Sequence, residues 1–302
     1  MEYSRIATSP EDLVVCGNTL KKFKPEEAAR CFEAAYKLNP NIPMTIVFRA
    51  KFRLGLVDSN SPHRKEALNA YLQEMERAAE LNPTAPVINY VEVAKRRMEL
   101  NKLDEALMDI ERGLAHNPSL SVSLYQMKAI ILQSQKKLDL ALTAADIAVS
   151  FEPNNPMSLM TKAGVLTSLK REEEALKCLD KAIECPTPLE ESIQIDRGDC
   201  LVELGRDEEA LAIFSKYNRY ERMASVHLDR IDHKTALKFA DQAIAANPGS
   251  IVAIHCKAFC LAALGEDAQS KQLLEKLSLI IPSSATPYVL YGDLHTRAGE
   301  YQ

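Results

Sequence analysis

The sequence has no tryptophan, and only 10 of its 302 residues are glycine. No phosphate-cradling glycine-rich loop, dinucleotide fingerprint or nucleophile elbow occurs, which removes the common nucleotide-dependent and acyl-transfer enzymes. Val, Ile and Thr form no long alternating run, so a sheet is not indicated. No apolar stretch reaches the roughly 18 residues that span a bilayer, and the opening MEYSRIATSPEDL lacks a signal core. Membrane insertion and secretion are therefore not expected, and an intracellular, cytoplasmic place is. Positive charge is not in excess: the net charge is −5, against a general nucleic-acid binder. A local basic run, Lys95-Arg96-Arg97, reads as a solvated helix face. The 7 cysteines are odd in number and irregularly spaced, unlike a disulfide framework, and predict reduced, mostly buried thiols.

What the chain does have is helix formers and a period. Ala, Leu, Glu and Lys dominate. An end-of-unit phrase recurs: Leu38-Asn39-Pro40, Leu81-Asn82-Pro83, His116-Asn117-Pro118, Phe151-Glu152-Pro153 and Ala246-Asn247-Pro248, with Pro282 closing a weaker copy. Proline cannot occupy a helix interior, and the residue before it avoids helical angles. Each phrase thus ends one helix and leads into the next. Upstream lies Glu-Ala-Leu or a variant, as in Glu27-Ala28, Glu105-Ala106-Leu107 and Glu174-Ala175-Leu176. Seven residues after the Ala comes a second small residue: Ala35, Gly113, Ala148, Ala182 and Ala243. These offsets place one stripe on a helix and let two backbones approach closely. The first Ala falls at 106, 141, 175 and 210, steps of 35, 34 and 35. A generic helical bundle does not explain that spacing.

Here the sequence resembles the tetratricopeptide-repeat family, whose unit is a helix-turn-helix of about 34 residues. An aromatic followed four residues on by a small residue recurs as Tyr90/Ala94, Tyr125/Ala129, Tyr220/Ala224 and Tyr288/Gly292, with Tyr in place of the family's usual Trp. Ala50, Ala163, Gly198 and Ala258 fill the small position elsewhere, and a turn glycine recurs at Gly205, Gly265 and Gly299. The resemblance covers nearly all of residues 1–302 as one array of eight units and the start of a ninth. It implies an all-α, right-handed superhelical α-solenoid of antiparallel helix pairs.

Three places break the pattern. Pro40 to Pro83 is about eight or nine residues too long, so 55–65 is an extended inter-helix loop or a lengthened second helix running to Glu80. Ala210 to Ala236 is only 26 residues, so the second helix of unit six ends near Tyr217 or Asn218, with a changed stacking angle expected around 214–224. The last unit, 285–302, stops just past Gly299, which suggests a fragment of a longer chain or an end that pairs with another copy.

Catalytic and metal chemistry find little support. Cys256 and Cys260 share a helix face while His255 points elsewhere, so a buried thiol pair is expected rather than zinc. Cys178 and Cys185 read likewise, and His227 and His233 as solvated turn residues. No catalytic residue, cofactor or metal is expected.

The resemblance further implies that the first helices line a concave groove holding an extended peptide. Transferred unit by unit, the face comprises Val91, Lys95 and Met98; Gln126, Ile130 and Gln133; Met160 and Thr167; Ile195, Asp199 and Val202; Glu221, Ser225 and Leu228; and His255 and Phe259. Heat-shock chaperone C-terminal tails are disfavoured: Gly17-Asn18 matches part of the family's cationic clamp, but Val14, Phe48, Ile88 and Glu92 stand where its other polar residues belong. The expected function is a non-catalytic scaffold or adaptor for a protein or peptide. Self-association, or service as the substrate-selecting module of an enzyme whose catalytic part lies elsewhere, are the alternatives. No nucleic acid or membrane partner is expected.

Overall fold

A computed structural model describes residues 9–116 and 121–280, apart from the side chains of 279 and 280. Asn117-Pro118, Pro282 and the predicted partial unit 285–302 lie outside the described residues. Among those described, the chain forms α-helices and no strand. The first compact unit, residues 1–169, holds α1 (Pro10–Leu20), α2 (Pro25–Leu38), α3 (Pro43–Gly55), α4 (Arg64–Leu81), α5 (Tyr90–Glu99), α6 (Leu103–His116), α7 (Ser121–Ser134), α8 (Leu138–Phe151) and α9 (Pro156–Ser168). The second, residues 170–302, holds α10 (Glu172–Ile183), α11 (Glu190–Glu203), α12 (Asp207–Lys216), α13 (Tyr220–Asp229), α14 (His233–Ala246), α15 (Ile251–Ala263) and α16 (Asp267–Ile280). No helix of the described residues is long and apolar enough to cross a membrane.

Local chemistry sets the helix ends. Asn39, Asn82 and Asn247 each stand at a C-cap with φ of −150°, −160° and −140°, the extended conformation a following proline demands. The same asparagines accept backbone N–H groups two residues on, at Asn41 (3.0 Å), Thr84 (3.0 Å) and Gly249 (3.2 Å). This Asx turn re-aims the chain into the next helix. Pro10, Pro25, Pro43 and Pro156 open α1, α2, α3 and α9, where a missing N–H costs nothing. Within several later pairs a left-handed residue makes the turn: Asn101, Lys136, Gly205, Ile231 and Gly265.

The cores follow the small-residue stripes. Ala28, Ala35, Ala106, Ala141 and Ala148 in the first unit, and Ala175, Ala182, Ala210 and Ala236 in the second, are fully buried. Close approach is required at two glycines. A Cβ on Gly17 would lie 2.8 Å from the Phe32 ring, and one on Gly198 2.5 Å from that of Phe214.

The stretch after α3 contains both a turn and a long helix: α4 runs 18 residues, to Leu81. Arg64 ties the turn down, donating to the Leu54 and Val57 carbonyls at 3.4 and 3.2 Å and to Glu99 at 3.3 Å. At the short repeat, α12 ends at Lys216 and Asn218, at φ 53°, turns the chain directly into α13. No proline is needed because a left-handed turn replaces the extended phrase. Phe214, Met223 and Val226 share one core there.

First-helix face as candidate functional site

Several odd-numbered helices lie side by side within each compact unit. In the first, α1 touches α3, α5 touches α7, and α7 touches α9; in the second, α13 touches α15. The predicted face lies on these helices, and most of its polar members are already engaged. Gln126 Nε2 donates to Ser158 Oγ at 2.8 Å, so α7 grips α9. Gln133 Nε2 donates at 2.8 Å to both the Gly164 carbonyl and Ser168 Oγ, one turn further along. In the second unit, Arg222 Nε of α13 donates to both carboxylate oxygens of Asp199 on α11, at 2.7 and 3.0 Å. Ser250 Oγ at the N-cap of α15 donates to Glu221 of α13 and accepts from the Ala253 amide at 3.1 Å. Thr167 returns its hydroxyl to the Gly164 carbonyl at 2.9 Å. All of these but Thr167, whose bond stays within α9, brace neighbouring helices.

The apolar members remain partly open. Val91, Met98, Ile130, Met160, Val202 and Leu228 are half-buried, while Lys95 and Ser225 are exposed. Phe259 is 39% exposed, its ring centroid 6.2 Å from that of His233. His255 is half-buried, and burial pushes its pKa down. Ile195 is a correction: at 7% exposure it packs with Leu176, Leu201 and Phe214. It serves the core, because its repeat turns that helix position inward.

The basic run is also corrected. Arg97 is 5% exposed and reaches Asp109 (2.5 Å), Glu76 (2.8 Å) and Glu105. Arg96 pairs with Glu92 and Glu99 along its own helix. Only Lys95 faces outward, so the run is one buried hub, one surface pair and one exposed cation. His227 and His233 are half-buried rather than solvated, and His227 stacks on Phe239 at 5.4 Å. Cys256 and Cys260 are buried and hydrogen-bonded to each other. Burial pushes the Cys200 thiol up to about 11. Of the clamp positions, Val14 and Ile88 are core residues at 2% exposure.

One feature of this face was absent from the sequence reading. Between α1 and α3 a cavity of about 360 Å³ is lined by Phe32, Phe48, Phe52 and Leu56, with Asn18, Lys21, Lys22 and Lys51 around it. Phe32 and Phe52 pack with ring centroids 5.1 Å apart. The signal available was Phe48-Phe52, four apart on α3 and facing the Lys21-Lys22 end of α1. Two other cavities, of about 210 and 230 Å³, carry both signs of charge: Glu76, Glu80 and Arg112 in one, Glu221, Arg219 and Arg222 in the other.

No protein-family model matches the sequence, and no curated protein matches it. Solved structures do. A human IFIT1 dimer with PPP-AAAA aligns over 96% of this chain and 73% of its own, at 18% identity and TM-score 0.59. A tetratricopeptide repeat protein from Parabacteroides merdae aligns over 70% of this chain and 86% of its own, at 20% identity and TM-score 0.56. The Cut9–Hcn1 hetero-tetramer of the APC/C gives 84% and 53%, 11% identity and TM-score 0.60. At these identities the likeness is one of fold. Repeated helix pairs, buried small-residue stripes and these structural neighbours together make this a chain of tetratricopeptide-repeat fold.

Proposed function

We propose that this chain is a non-catalytic scaffold that holds a protein or peptide against the first helices of its repeats. One observation carries the reading: the polar side chains of that face lock adjacent helices together, while Val91, Met98, Ile130 and Met160 stay partly open between them. A face so braced is preorganised, which lowers the ordering cost of binding. On α5 Arg96 and Arg97 are paired with carboxylates and Lys95 alone is exposed, which gives a phosphate backbone no track of cations and favours a polypeptide, although IFIT1 has been solved with PPP-AAAA. The seven cysteines stand as free thiols, which suits the reducing interior of a cell.

The test places a photo-crosslinking residue at Ile130 on α7 and, separately, at Leu140 on α8, 58% exposed. Polypeptide adducts from position 130 and not 140 are expected. Adducts from 140 alone, or RNA adducts from 130, would overturn the proposal.

A further inference from the structure

The cavity between α1 and α3 combines an apolar floor with a rim of one charge sign. Phe32, Phe48, Phe52 and Leu56 supply the floor; Lys21, Lys22 and Lys51 supply the rim, and no carboxylate lines it. That is notable in a chain of net charge −5. None of the three ammonium groups has an ion-pair partner among the described residues; Lys21 Nζ donates only to Asn18 Oδ1, at 3.4 Å. Burial lowers the Lys51 pKa, and Lys21 adds to the drop against the opposing pull of Glu92. Three exposed cations around apolar walls, with no carboxylate lining the cavity, favour an anion there.

We propose that this cavity binds a partner's peptide segment in which an aromatic or large aliphatic side chain stands beside carboxylates. The apolar side chain enters between Phe48 and Phe52, and the carboxylates meet Lys21, Lys22 and Lys51. The proposal rests on the peptide-binding reading above and names the chemistry of one contact within it. About 360 Å³ lies at the small end of ligand pockets and suits one anchoring side chain. A nucleic acid is disfavoured because phosphates need a continuing track of cations. On the next first helix, Arg96 is already neutralised by Glu92 and Glu99. Gly55 gives the site a clean block: a Cβ there meets nothing within 4 Å, so a large side chain can enter the cavity mouth without disturbing the core.

The experiment uses the full 302-residue chain and fluorescence anisotropy with a labelled ten-residue peptide bearing one central Phe flanked by Glu and Asp. Controls replace the Phe by Ala, or the acids by Lys. PPP-AAAA serves as the nucleic-acid probe. Lys21→Glu combined with Lys51→Glu, and separately Gly55→Phe, are each expected to weaken the acidic Phe peptide at least tenfold with circular dichroism unchanged. Both control peptides should bind at least tenfold more weakly to the wild type. Equal binding by wild type and both variants overturns the proposal, as does indifference to the central Phe. Tighter binding of PPP-AAAA that is lost with the two lysines overturns it in favour of a phosphate site. Position-130 crosslinking in the same variants separates the two readings: if it persists while the peptide result fails, the scaffold stands and this contact falls.

Discussion

Ile231→Gly is expected to stabilise the protein, although it removes a large apolar side chain. Ile231 sits in the turn between α13 and α14 at φ 61°, with 75% of its surface exposed. The left-handed conformation costs an L-residue about 1–2 kcal/mol, and a β-branched side chain stands at the upper end. Glycine relieves that strain but returns about 0.5–1 kcal/mol through the greater freedom of the unfolded chain. Little burial is lost, so the net gain is about 1 kcal/mol. Repeat arrays open locally, so the assay is hydrogen exchange of the α13 and α14 amides alongside urea denaturation. Lys136, at φ 61°, is the comparator: Lys136→Gly should gain less, since its side chain is unbranched. Gly205→Ala, at φ 70°, should lose about 1 kcal/mol. Destabilisation by Ile231→Gly, or a neutral Gly205→Ala, would refute the reasoning.

Asp109→Ala leaves Arg97 buried without its most enclosed partner and is expected to cost about 3–5 kcal/mol; Arg97→Met with Asp109→Leu should cost much less, as chemical denaturation will show. Ser250→Ala removes both the α15 cap and the bond to Glu221, a loss of about 1–2 kcal/mol, with faster exchange at the start of α15. His255 is held neutral by burial, below its ordinary 6.5. Its stability contribution is therefore complete above that ordinary value and is lost as pH falls through the lowered folded one. An NMR titration should place its midpoint below 6.5.

How much of this was legible beforehand depends on the scale of the interaction. Helices and their period were readable because proline and small residues act within a few residues of themselves: Pro40 dictates Asn39, and Gly198 admits Phe214. Asparagine's part in the Leu-Asn-Pro phrase was missed, though its Asx turn is equally local. The turns were read only where they contained Gly205 and Gly265, because Asn101, Lys136 and Ile231 adopt the same left-handed angle under tertiary constraint and leave no compositional mark. The misreadings of Arg97, Ile195, His227 and His233 share another cause. Each is decided by a residue from another helix: Asp109, Phe214, Phe239 and Phe259 respectively. Spacing on one helix cannot reveal which flank a neighbouring helix will cover.

The same distinction bears on recognition. Gln126, Gln133, Asp199 and Glu221 are the residues a sequence argument would mutate to abolish binding, yet each bonds to an adjacent helix. Replacing them would loosen the array and reduce binding to any surface, so a loss of partner could not be assigned to contact. Met98→Glu and Ile130→Glu touch open apolar surface instead, and Lys21→Glu with Lys51→Glu touches cations that pair with no described carboxylate. On the proposed reading, a partner of this face draws its specificity from apolar fit along the braced helices and from charge at the α1–α3 cavity, whose lysines pair with no described carboxylate. Acidic residues beside an aromatic satisfy both demands; a basic or purely polar segment satisfies neither.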